Sequence, residues 1–121
     1  MSSSLTSNVI GASEHNAKNK CTGAFAFSNI GMPGEAFEGV NWQKKHVGKL
    51  RVIFSSLLRT KEKPQGILLC EVGNLSDPIT PEGRKRLEEV LGLAFKETGA
   101  GEHGPPQFFW SNGETMVAFK A

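Results

Sequence analysis

Two residues with oxygen donors stand where apolar runs of strand length end. Gly23-Ala24-Phe25-Ala26-Phe27-Ser28 leads into Asn29, and Gly66-Ile67-Leu68-Leu69-Cys70 leads into Glu71. Each run is short, continuous and apolar, the pattern of a strand buried on both faces. Two such strands joined through a helix run parallel, so their carboxyl ends share one edge of the sheet. Ligands of open α/β sheets gather at that edge. An amide oxygen beside a carboxylate suits a hard cation, and magnesium is commonly held by one or two carboxylates with water completing its shell. A carboxylate directly after Ile-Leu-Leu-Cys is costly unless it is solvated or paired. The plainer reading is that both residues merely end their strands, with Asn29 a turn residue ahead of Gly31. The expectation carried forward is a metal site at Asn29 and Glu71.

Other residue types narrow the chemistry. The chain holds eleven Glu but one Asp, Asp77, and three His: His15, His46 and His103. Hydrolytic sites bring several carboxylates, or a His and a carboxylate, together. This chain has little material for that, and no complete catalytic set can be written from it. His103, in the loop Gly101-Glu102-His103-Gly104, is a candidate general base, but a lone exposed loop histidine is usually inert. Cys21 and Cys70 form no CxxC pair and do not make a zinc site. Cys70 reads as a small buried core residue. Free cysteines point to a reducing compartment, so an intracellular location in cytosol or nucleus is expected. Between Lys44 and Lys63, eight basic residues or His face a single acid, Glu62. Lys44, Lys45, Lys49 and Arg51 are candidate nucleic-acid contacts, with Trp42 a candidate stacking residue. The competing reading is a solvated helix face and a Trp packed on the sheet.

The elements follow from spacing. The 121 residues make one domain or a piece of one, with a net charge of +2 that does not by itself imply a nucleic-acid or membrane partner. No apolar run reaches the ~18 residues of a membrane helix. Residues 1–22 are rich in Ser, Asn and Lys and read as a disordered tail, ahead of a domain at 23–121. Val47, Leu50, Phe54, Leu57 and Leu58 recur at steps of three and four and predict a helix over 41–59. Thr80-Pro81 is a helix start, an N-cap hydroxyl followed by Pro at the first helical position. Leu87, Val90, Leu91 and Ala94 continue that helix, and Gly99 ends it. Asn112-Gly113 separates two apolar runs and predicts a hairpin. The expected fold is an α/β mixed-sheet layered domain in the order β-α-β-α-β-β, with one pair parallel, the last antiparallel, and at least one face covered by helices.

Phe-Ser-Asn at the end of a first strand, a helix, and then Ile-Leu-Leu-Cys-Glu-Val resemble the opening of the endonuclease/exonuclease/phosphatase superfamily, the DNase I-like fold. The resemblance covers roughly residues 23–120. It implies half of a DNase I-like α/β sandwich, with Asn29 and Glu71 binding Mg2+ or Mn2+. It also implies a phosphodiester or phosphomonoester substrate, in nucleic acid or another phosphorylated molecule. Cys70 stands where the family carries Gln. The family's later Asp-x-Asn and Ser-Asp-His motifs cannot be written with Asp77, the single Asp. The chain therefore reads as a truncated or degenerate member, inactive alone. The alternative is a non-catalytic α/β binding module that contacts nucleic acid or a protein. Half a sandwich leaves a sheet face bare, so a complementary half or self-association is expected.

Overall fold

A computed structural model describes residues 7–11, 24–42 and 44–120. Strand β1 is Ser7–Gly11, β2 Ala24–Met32, β3 Gly66–Val72, β4 Gln107–Ser111 and β5 Thr115–Phe119. Helix α1 is Lys44–Leu58 and α2 is Pro81–Glu97, with short 3-10 turns at Gly34–Phe37 and Gly39–Asn41. The strands form one mixed sheet in the order β1-β2-β3-β5-β4. β2 and β3 are parallel, with Ala26 opposite Ile67 and Asn29 opposite Cys70. The other three pairings are antiparallel.

The sheet alternates, and its helix side is set by that alternation. Ala26, Ser28 and Ile30 of β2, Ile67 and Leu69 of β3, and Met116 and Ala118 of β5 are buried. They meet Leu50, Phe54 and Leu57 of α1 and Leu87, Leu91, Ala94 and Phe95 of α2 in one core. The helical spacing read from the sequence is the spacing that places these groups on one stripe. α2 begins as its sequence requires. The Thr80 hydroxyl accepts from Gly83 N at 3.1 Å, and Pro81 takes the first helical position. Gly99, at φ +80°, follows its C-cap.

The two helices are also tied by charge. Arg51 Nη2 lies 2.7 Å from Glu97 Oε2, and the Ser55 hydroxyl donates to Glu97 Oε1. Hydrogen bonds from Arg51 and Ser55 hold the Glu97 carboxyl below its ordinary pKa, and Glu97 in turn raises that of Arg51.

Four expectations change in the structure. Ser7–Gly11, inside the expected tail, pairs with β2, while the rest of residues 1–22 lie outside the described residues. β2 runs through Asn29 to Met32, because a register irregularity absorbs Gly31 instead of ending the strand. The first helix starts at Lys44, since two 3-10 turns occupy the chain up to Asn41. Cys70 is half-buried on the face away from the helices, because its parity is that of Leu68 and not that of Leu69. The burial on that face and the nearby Glu71 raise its thiol pKa.

Candidate functional site

The carboxyl ends of β2 and β3 bring the two oxygen-bearing residues together. Asn29 Nδ2 donates to Glu71 Oε1 at 3.2 Å. Regular strands would not have allowed this. Asn29 shares the parity of Phe25 and Phe27, on the face away from the helices. Glu71 shares the parity of Ile67 and Leu69, on the helix face. A left-handed backbone at Glu71, φ +53°, breaks the alternation just where the register between β2 and β3 shifts. The carboxylate is thereby aimed out of the core and toward Asn29, the kind of re-aiming that bulges produce. Sequence reading foresaw the pair but not the bulge, for no Gly stands at position 71 to signal a positive φ.

The Asn29 amide is only half satisfied. Its Oδ1 is buried and has no hydrogen-bond partner. Such an acceptor is costly to leave unmade. Beside the pair is a shallow cavity of about 210 Å3, lined by Gly31, Met32, Pro33, Glu71, Gly73, Asn74 and Glu114. Glu71 is exposed and Glu114 half-buried. For a hard cation to be held by both residues the Asn29 amide must turn over, since Nδ2 and not Oδ1 faces the Glu71 carboxylate and Asn29 does not line the cavity. Among the described residues, no three His, Cys, Asp or Glu side chains come together as a metal-holding group.

The walls of the cavity are stapled by backbone bonds. Gly34 N donates to Asp77 O at 2.8 Å, and Glu35 N to Asp77 Oδ2 at 3.0 Å. Gly73 N donates to Met32 O at 2.7 Å, and Val72 N to Glu114 O at 2.9 Å. Gly34 is required here, since a Cβ at that position would stand 2.0 Å from Pro78 O. Asn74 Oδ1 accepts from Asp77 N and Ser76 Oγ, which folds the loop back on itself. The single aspartate thus serves to join two loops.

The remaining candidates are placed elsewhere. Arg51 is occupied by Glu97, and Lys49 is exposed on α1. The side chains of Lys44 and Lys45 lie outside the described residues. Trp42 stacks on Phe37, with ring centroids 5.6 Å apart, and is half-buried, so its packing role prevails over base stacking. His46 Nδ1 lies 2.9 Å from Asn41 O. His103 lies 3.3 Å from Glu102 in an exposed loop. A larger cavity, about 410 Å3, opens at the amino end of β3, beside Arg59, Lys63 and Lys120. Its Thr60 and Thr98 hydroxyls already donate to Leu57 O and Ala94 O, and Arg59 caps Glu97 O. No described helix is long and apolar enough to cross a membrane. In comparison with known proteins, no family model, no curated protein and no solved structure matches this chain.

Proposed function

We propose that this chain is a degenerate relative of the endonuclease/exonuclease/phosphatase superfamily that retains a divalent-cation site at Asn29 and Glu71. The observation that carries this reading is the Asn29–Glu71 pair, with its buried, partnerless Oδ1 and its carboxylate turned out of the core by a left-handed residue. Mg2+ or Mn2+ bound there would supply Lewis-acid stabilisation of a phosphoryl oxygen. Asn29 would hold the ion through its amide oxygen, and Glu71 through its carboxylate. Among the described residues, Glu114 is the one further carboxylate lining the cavity, and no His or Asp joins it. Asp77 is spent on a loop junction, and His46 and His103 bond elsewhere. Hydrolysis of a phosphodiester or phosphomonoester by the chain alone is therefore expected to be negligible. This reading takes a phosphorylated molecule, nucleic acid included, as a ligand more than as a substrate to be turned over.

Manganese binding followed by electron paramagnetic resonance tests the site directly. The wild type should take up one Mn2+ per chain, and Asn29→Ala and Glu71→Gln should each weaken it at least tenfold. Equal uptake by all three proteins would refute the assignment.

A second reading is a non-catalytic module that holds a protein partner. The feature favouring it is the apolar sheet face that no described helix covers, with Phe109 62% exposed.

A further inference from the structure

Two cations stand just beyond the end of α1 and a third beyond the end of β5. Arg59 follows the last residue of α1, and Lys63, at φ +45°, turns the chain toward β3 with its N–H on Thr60 O at 3.0 Å. Lys120 follows β5, and its N–H donates to Gln65 O at 2.8 Å, just ahead of β3. α2 also ends at this edge of the sheet, and Thr98 and Glu102 beyond it complete the walls of the cavity of about 410 Å3. Arg59, Lys63 and Lys120 all line it, and Glu102 is its one carboxylate. Basic side chains beyond a helix C-terminus commonly serve the free carbonyls of its last turn. Here other groups do most of that. The Thr60 and Thr98 hydroxyls donate to Leu57 O and Ala94 O, and Gly99 N and Gly101 N donate to Lys96 O and Phe95 O. Arg59 places one Nη on Glu97 O, at 3.5 Å, while the Glu97 carboxylate is held by Arg51 and Ser55. Among the described residues, Lys63 and Lys120 enter no ion pair, and Glu102 lies 3.3 Å from His103 Nε2.

We propose that this cavity binds a phosphate-bearing anion. Like charges around one concave site focus a positive field into it, and an anion there relieves their mutual repulsion. The Arg59 guanidinium offers a fork to two phosphate oxygens, and the two ammonium groups add point charges on flexible stems. At about 410 Å3 the cavity falls within the roughly 300–1,000 Å3 of small-molecule sites and has more room than one phosphate group fills. A diphosphate or triphosphate group is the chemistry it fits best. The two threonine protons are committed to carbonyls, so charge decides affinity, and a diphosphate should bind more tightly than a monophosphate. The cavity stands at the amino end of β3 and the Asn29–Glu71 pair at its carboxyl end, so neither depends on the other.

Calorimetric titration of pyrophosphate into the full chain, in metal-free buffer of low ionic strength, tests it. The wild type should bind one pyrophosphate per chain with a Kd below about 1 mM, and inorganic phosphate at least about threefold more weakly. Lys63→Gln and Lys120→Gln should each weaken pyrophosphate binding at least about threefold, and together at least about tenfold. Both variants should keep a cooperative melt, because the two side chains are exposed and unpaired among the described residues. Lys49→Gln removes the same charge from an exposed position on α1 outside the cavity, and should leave the affinity nearly unchanged. Glu71→Gln should bind pyrophosphate as the wild type does, which separates this site from the cation site. No saturable binding by the wild type would overturn the proposal. So would equal weakening by Lys49→Gln and Lys63→Gln, the mark of attraction to net charge alone, or wild-type affinity in the Lys63→Gln, Lys120→Gln double variant.

Discussion

A glutamate at φ +53° is held against its own backbone preference, at a cost of about 1–2 kcal/mol. Had the backbone stayed extended at Glu71, its parity would have turned the carboxylate to the helix-covered face, where ionised oxygen costs far more. The left-handed turn is the cheaper outcome, and it delivers the carboxylate to Asn29. A second residue shows the opposite economy. Ser28 is fully buried among apolar side chains, and its Oγ has no partner. Ser28→Ala should stabilise the fold by about 1 kcal/mol, read from urea midpoints at unchanged slope. A loss of stability in this variant would mean that the hydroxyl has a partner after all.

At the scale of elements, the loops at the carboxyl edge are braced by close backbone contact. Gly34→Ala would force its methyl into Pro78 O, now 2.0 Å from that position. The expected cost is about 2 kcal/mol or more, with a loss of cation affinity as Pro33, Gly73 and Asn74 shift. Unchanged stability would show that the two loops separate freely. The Arg51–Glu97 clamp gives a pH test on the helices. Glu97 has a lowered pKa in the folded chain, so its contribution is present above its ordinary value of 4.5 and is lost as pH falls through the folded value. Arg51→Gln should therefore lower the melting temperature slightly at pH 7 and by less at pH 3. The effect should also shrink in high salt, since the pair is exposed. A penalty that is the same at both pH values would mean that packing, not charge, ties α1 to α2.

These elements were the legible part of the sequence. Thr80-Pro81, the stripe from Leu87 to Ala94, and Asn112-Gly113 are local signals, and local chemistry decides them. The hairpin turn duly places Asn112 at φ +45° and Gly113 at φ +79°. The Asn29–Glu71 adjacency was legible too, because a parallel crossover fixes which strand ends meet. The bulge was not, for it arises from a mismatch between two strands far apart in sequence. Cys70 was misread for a related reason. Within a run of continuous apolar residues, parity has no polar marker, so the covered face cannot be told from the open one.

For the whole molecule, two helices close one face of the sheet, and no described helix covers the other. The central claim, however, is the cation site, and it can be read from global stability. An ion that binds only the folded chain adds about 2.7 kcal/mol of stability at a hundredfold excess over Kd, and so raises the melting temperature. The deciding measurement is a thermal melt of wild type and Glu71→Gln, each with and without millimolar Mg2+ or Mn2+, at a fixed protein concentration. The account predicts a metal-dependent rise of several degrees in the wild type and none in Glu71→Gln. An equal rise in both proteins, or no rise in a wild type that melts cooperatively, would contradict it.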